Sequence, residues 1–272
     1  MPSSEDGVVD RLGKSIVGTV LGYFVLQSGI FVGFSLFATP SILGVPKSFI
    51  GLLGRTFFIV IVAYHAVLMA TLLRFRPDFA KVPSGEKLDR VNLANRVTLF
   101  RLTSMPTVLF LVLAARDYSM RLPLLGLVVL VFSTDFIDGW ISRTAGEVTK
   151  VGKMMDSASD YCLLLVLSIV FYYFSLVPIW FFILVTARLT LQMVLVSILI
   201  VIKKRIEPKT TFMGKAAVAS IMVLYAAEVI RLIFGIGRIE LVAVLECATA
   251  AIVLVSMVDK VIAFIRELPR SA

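Results

Sequence analysis

With 272 residues, 59% of them hydrophobic, and a mean hydropathy of +0.97, the chain does not read as a soluble domain, whose helices would break their apolar runs with charge every turn or so. The net charge of +9 calls for no nucleic acid. Membrane topology, together with attraction to anionic headgroups at about 1 kcal/mol per residue, accounts for it.

In chain order, an acidic start (Glu5, Asp6, Asp10) precedes an apolar run at 15–40 that is too long for a cleavable signal peptide and lacks a small-residue cleavage site. A second run at 48–73 holds the lone histidine, His65, which reads as a hydrogen-bonded contact between helices rather than a zinc ligand. Residues 74–97 form the longest polar stretch, with two prolines and a glycine. They are expected to hold a surface-lying helical element and to divide an N-terminal hairpin with its linker (1–89) from a catalytic domain (90–272). Further apolar runs follow at 98–115, 122–130, 161–174, 177–202, 216–234 and 241–265. Most reach the roughly 20 residues that a bilayer core demands. The reading is an all-α integral membrane protein of eight spans. Cys162 and Cys247 lie in separate runs without CxxC spacing and read as buried fillers.

Threading eight spans from a cytoplasmic N-terminus collects Arg11, Lys14, the basic residues of 74–101, Lys150, Lys153, Lys203–Arg205 and Arg266 on one side, leaving few cations on the other. That is the positive-inside pattern, with both termini cytoplasmic. It places a polar window between the fourth and fifth runs, STDFIDGWISRTAGEVTKVGKMMDSASD, at the cytoplasmic interface. Asp135 and Asp138 are three apart there, and Asp156 and Asp160 four apart, so each pair shares a helix face. Carboxylates near a bilayer cost several kcal/mol unless paired or metal-bound. On charge alone, ion pairs with Arg143, Lys150 and Lys153 remain an alternative. The functional reading is a pair of divalent cations, Mg²⁺ by preference for hard oxygen donors with Mn²⁺ open, serving phosphoryl transfer. Gly139 allows close backbone approach, and Arg143 suits a phosphate or nucleobase edge.

The full spacing is D-x2-D-G-x2-S-R-x8-G-x3-D-x3-D, through Asp135, Asp138, Gly139, Ser142, Arg143, Gly152, Asp156 and Asp160. It resembles the signature of the CDP-alcohol phosphotransferase family, departing only at Ser142, where alanine is usual. Upstream, Asn95-Arg96-Val97-Thr98-Leu99-Phe100-Arg101 resembles the N-x-x-T-x-x-R segment opening the family's first core helix, with Ala94 where proline often stands. The resemblance covers about 90 to the C-terminus and implies a six-helix core preceded here by two extra spans. It also implies roles. Asp135, Asp138, Asp156 and Asp160 would ligate two metal ions, with Asp160 also the general base. Asn95, Thr98, Gly139, Arg143 and Thr149 would hold the CDP donor. Family members are usually dimeric, so a homodimer is expected, in a bacterial cytoplasmic membrane with the site facing the cytoplasm.

The acceptor is read from Arg188, isolated inside the sixth run, and from Thr211, Gly214 and Lys215, which resemble the S-x-x-G-K region of phosphatidylglycerophosphate synthases and related cardiolipin synthases. Cations there suit a phosphate-bearing acceptor such as glycerol 3-phosphate. CDP-diacylglycerol is the expected donor and membrane lipids are further partners. Alternatives are an inositol phosphate or phosphatidylglycerol acceptor, or a CDP-choline or CDP-ethanolamine donor with diacylglycerol accepting. The competing class is a divalent-cation transporter, against which the aspartates sit at one interface rather than near the midplane.

Overall fold

The computed structural model describes residues 4–37, 48–82, 84–115, 126–127, 130–131, 134, 148–203, 211–233 and 240–267. Asp135, Asp138, Gly139, Ser142 and Arg143 lie outside the described residues. Among those described, the chain forms seven α-helices and no strand. They are α1 (Ser4–Phe37), α2 (Ser48–Arg74), α3 (Leu93–Ala114), α4 (Lys150–Tyr173), α5 (Ile179–Lys203), α6 (Phe212–Ile233) and α7 (Glu240–Glu267). Five of them, α1 to α4 and α7, contain stretches long and apolar enough to cross a bilayer core, and α5 holds a shorter apolar stretch, Ile179–Leu195. The protein is an all-helical integral membrane protein. In hydrocarbon a helix is the open-ended element that satisfies its own backbone, which is why these runs fold this way.

Contacts divide the chain into two compact units, residues 1–166 and 167–272. In the first unit α3 is the centre. Its apolar window is 72% buried, against 22% for those of α1 and α2, so α3 is sheathed by protein while its neighbours present side chains such as Val25, Ile59 and Val67 outward. The sheath is polar where α3 needs it. Pro106 lies inside α3 and has no N–H for the Leu102 carbonyl four residues back. Tyr64 of α2 donates its hydroxyl to that carbonyl at 2.9 Å. From α1, Tyr23 donates to the Arg96 carbonyl at 2.9 Å, and the Gln27 amide donates to Ser104 Oγ at 2.7 Å in a buried contact. The bond expected to tie His65 to a second helix runs instead within α2, to the Ile61 carbonyl at 2.8 Å. The interhelix contact of His65 is ring to ring, with Phe24 at 5.5 Å.

The polar stretch before α3 contains a single 3-10 turn, Arg76–Asp78, instead of a surface helix. Beyond it the chain runs extended and turns back at Gly85, whose φ of 74° is left-handed backbone that glycine adopts without a Cβ penalty. Asn92 then caps α3, its side chain accepting from Asn95 N at 3.1 Å, so the helix begins five residues before the apolar run at 98.

In the second unit, α4 ends in a left-handed residue, Ser175 at φ 56°. Leu176 N donates to the Phe171 carbonyl at 2.8 Å and Ser175 N to that of Tyr172 at 2.9 Å, closing the helix in the Schellman manner. Helix α7 packs on both α5 and α6. Ser168 and Tyr225 share a 2.6 Å hydrogen bond, and Phe171 stacks on Tyr225 at 4.3 Å.

Candidate active site

Helix α4 carries Asp156 and Asp160 one turn apart, with side chains 53% and 55% exposed. What orients them is a residue that the motif reading left without a role. Arg101, on α3 and 2% exposed, donates from Nη2 to Asp156 Oδ1 at 2.8 Å, and the same nitrogen lies 3.8 Å from Asp160 Oδ1. Its Nε donates to Ser159 Oγ at 2.6 Å, in the turn between the two aspartates. One planar guanidinium thus grips one turn of α4 at three points, which an ammonium could not do. The signal was present in the sequence. Asn95, Thr98 and Arg101 recur every three residues and share one buried face of α3.

The N-termini of α3 and α4 lie side by side. Thr149 precedes α4 as its N-cap, its hydroxyl accepting from Gly152 N at 2.8 Å. The same hydroxyl meets the buried Asn95 amide, at 3.1 Å from Nδ2 and 3.2 Å from Oδ1. Thr98, also buried, hydrogen-bonds back to the Ala94 carbonyl at 3.1 Å. Two abutting helix N-termini concentrate partial positive charge where a phosphate could sit. Gly152 is the hinge of the arrangement. A Cβ there would stand 2.6 Å from Asn95 Oδ1 and 2.8 Å from Thr149 Oγ1, so the motif glycine is explained by close approach. Gly152→Ala is expected to push Asn95 and Thr149 apart at a cost of about 1–3 kcal/mol. Thermal unfolding in detergent should show the loss.

The structure describes two of the four expected metal ligands. Asp156 and Asp160 offer hard oxygen donors one turn apart and half open, a donor set that fits Mg²⁺ with Asp135 and Asp138 as the expected remainder. Among the described residues, no group of three or more His, Cys, Asp or Glu side chains forms a metal cluster.

In the second unit Arg188, 2% exposed, donates from Nη2 to the Gly214 carbonyl at 3.0 Å and from Nε to Ser256 Oγ at 3.3 Å. Thr211 caps α6 by accepting from Gly214 N at 3.1 Å. Lys260 of α7, which the sequence reading passed over, lies against the same glycine, where a Cβ would meet its Cε at 3.1 Å and Nζ at 3.5 Å. Lys215 is exposed on the first turn of α6. Arg188 and Lys260 therefore converge from two helices on the N-terminus of a third.

A CDP-alcohol phosphatidyltransferase family profile matches residues 91–260, more than half of the chain. The chain belongs to this family. As a CDP-alcohol phosphatidyltransferase it is an enzyme of phospholipid biosynthesis in the membrane. It is 27% identical over 173 residues to the CDP-diacylglycerol--glycerol-3-phosphate 3-phosphatidyltransferase of Aquifex aeolicus, covering 62% of this chain and 93% of the relative. It is 28% identical over 180 residues to the cardiolipin synthase (CMP-forming) of Streptomyces coelicolor, covering 63% and 81%. The two identities are nearly equal while the named reactions differ in acceptor, so the likeness ranks neither acceptor above the other. No solved structure gives a significant match.

Proposed function

We propose that this phosphatidyltransferase moves the phosphatidyl group of CDP-diacylglycerol onto glycerol 3-phosphate and releases CMP. The reading includes a catalytic domain at 90–272, eight spans with both termini cytoplasmic, and a homodimer in a bacterial cytoplasmic membrane with its site facing the cytoplasm. The observation that carries the acceptor is the convergence of Arg188 and Lys260 on the capped N-terminus of α6. Two cations and a helix N-terminus form a recognition site for a phosphate.

In this reaction Asp160 takes the proton of the acceptor hydroxyl. The oxygen so freed attacks the β-phosphorus of the donor, and the bond from that phosphorus to the CMP oxygen breaks, leaving CMP. Asn95, Thr98 and Thr149, with Gly139 and Arg143, hold the nucleotide. Arg188 and Lys260, with Lys215, hold the acceptor phosphate. Two Mg²⁺ ions bound by Asp135, Asp138, Asp156 and Asp160 would supply charge neutralisation of the pyrophosphate link.

The test is CMP release by purified protein in detergent with Mg²⁺ and CDP-diacylglycerol, run against glycerol 3-phosphate, phosphatidylglycerol and inositol phosphate. Release with glycerol 3-phosphate alone supports the proposal, whereas release only with another acceptor overturns the substrate assignment. Lys260→Met should raise KM for glycerol 3-phosphate by about 10- to 100-fold, the worth of a charge-assisted hydrogen bond. KM for the donor should stay unchanged in that variant.

A further inference from the structure

The family match starts at residue 91, yet a segment before it is built directly against the start of α4. After the Arg76–Asp78 turn, Val82 N donates to the Val148 carbonyl at 2.8 Å and Lys150 N donates to the Ala80 carbonyl at 3.4 Å. Together they form an antiparallel bridge between Lys81 and Thr149. The segment is closed on itself by hydrogen bonds. Ala80 pairs with Lys87, Leu88 N donates to Phe79 O at 2.9 Å, Gly85 N donates to Lys81 O at 2.9 Å, and Lys81 pairs with Glu86 at 3.0 Å. Phe79, 1% exposed, roots it in the same apolar cluster as Leu72 of α2, Leu99 of α3 and Val151 and Met155 of α4.

Thr149 is where this strap meets the candidate site. Its backbone is bridged to Lys81, while its hydroxyl caps Gly152 and contacts Asn95. We propose that the strap, residues 79–82 with 84–88, is a positioning element for the donor nucleotide: by clamping Thr149 it pre-orders the first turn of α4 and the Asn95–Thr149 pair. The inference rests on the reading that these groups hold the CDP donor. A helix end frays unless its N-cap is held, and a site ordered before binding spends less of its interaction energy on ordering. Asp156 and Asp160 lie about two and three turns further along α4. There Arg101 grips them independently of the strap. Loosening the strap should therefore weaken donor binding and leave the chemical step in place.

Two variants of the full chain break the strap by different routes. Val82→Pro removes the amide that bonds Val148, and Gly85→Val places a β-branched side chain at φ 74°. A Cβ at Gly85 meets nothing within 4 Å, so the second variant disturbs the turn without a clash and carries the test if the first does not fold. Val82→Ala keeps the amide and is the control. CDP binding is measured by calorimetry in detergent with Mg²⁺, beside initial-rate kinetics. Both strap variants should bind CDP about tenfold more weakly and raise donor KM alike, with kcat nearly unchanged and Val82→Ala indistinguishable from wild type. Undiminished CDP affinity in folded strap variants, or a loss confined to kcat, overturns the inference alone. A wild-type protein that does not bind CDP removes the donor reading and this inference together.

Discussion

Replacing Asp160 with asparagine should lower CMP release by about 10²- to 10⁴-fold, the range in which a general base contributes. The amide is nearly isosteric with the carboxylate, but it takes no proton from an acceptor hydroxyl at neutral pH and carries no charge toward a cation. Stability should barely move. The side chain is 55% exposed, and Arg101 Nη2 stands 3.8 Å away, so the ion pair is a long one with a solvated partner. Such pairs contribute about 0–1 kcal/mol. CMP release and thermal unfolding, measured on the same preparation, check both halves. A folded Asp160→Asn protein with more than a tenth of wild-type turnover would remove Asp160 from the chemistry.

Arg101→Met is the second large effect, and the split between activity and stability is its content. The guanidinium is 2% exposed and donates to Ser159 and Asp156, so it has exchanged nearly all its hydration for partners within the protein. An unbranched apolar side chain in its place removes the desolvation penalty with the charge, while the buried Ser159 hydroxyl loses its donor. Asp156 is 53% exposed and can rehydrate, so the carboxylate is not stranded. The expected stability loss is about 1–3 kcal/mol, that of a buried hydroxyl left without its partner. Activity should fall by about 10²-fold or more, since the guanidinium that holds Asp156 and stands beside Asp160 is gone and misplacement near 1 Å costs that much. Arg101→Lys should recover only part of the loss, because a single ammonium cannot serve Ser159 Oγ and Asp156 Oδ1 with the same fork. Activity that merely tracks the folded fraction in both variants would make Arg101 a packing residue and nothing more.

Position along the sequence was enough to name the family. Residue types and gaps in the run from Asp135 to Asp160 point to the family without any coordinates, and the profile match over 91–260 agrees. Apolar runs likewise announced the helices, because a backbone in lipid must satisfy itself locally, and local rules can be read locally. The placement of Asn95, Thr98 and Arg101 on one face of α3 also follows from period alone.

What the period does not say is which neighbour covers a face. The apolar run of α3 reads much like those of α1 and α2, yet it is 72% buried where theirs are 22%, because lipid and protein interior select the same side chains. The grip of Arg101 on Asp156 joins residues 55 positions apart, and Lys260 reaches Gly214 from another helix. The use of Tyr64 to fill the carbonyl that Pro106 leaves open joins α2 to α3 across 38 positions. The polar stretch 74–97 is expected to hold a surface-lying helical element, and only the folded chain shows a 3-10 turn at Arg76–Asp78 followed by a segment bridged through Lys81 to Thr149. Each of these depends on how helices pair, a choice made by shape and by the need to satisfy buried polar groups across long separations. Hydropathy and spacing place the apolar helices and the motif residues along the chain, whereas the partners that hold those residues in register exist only once the helices have packed.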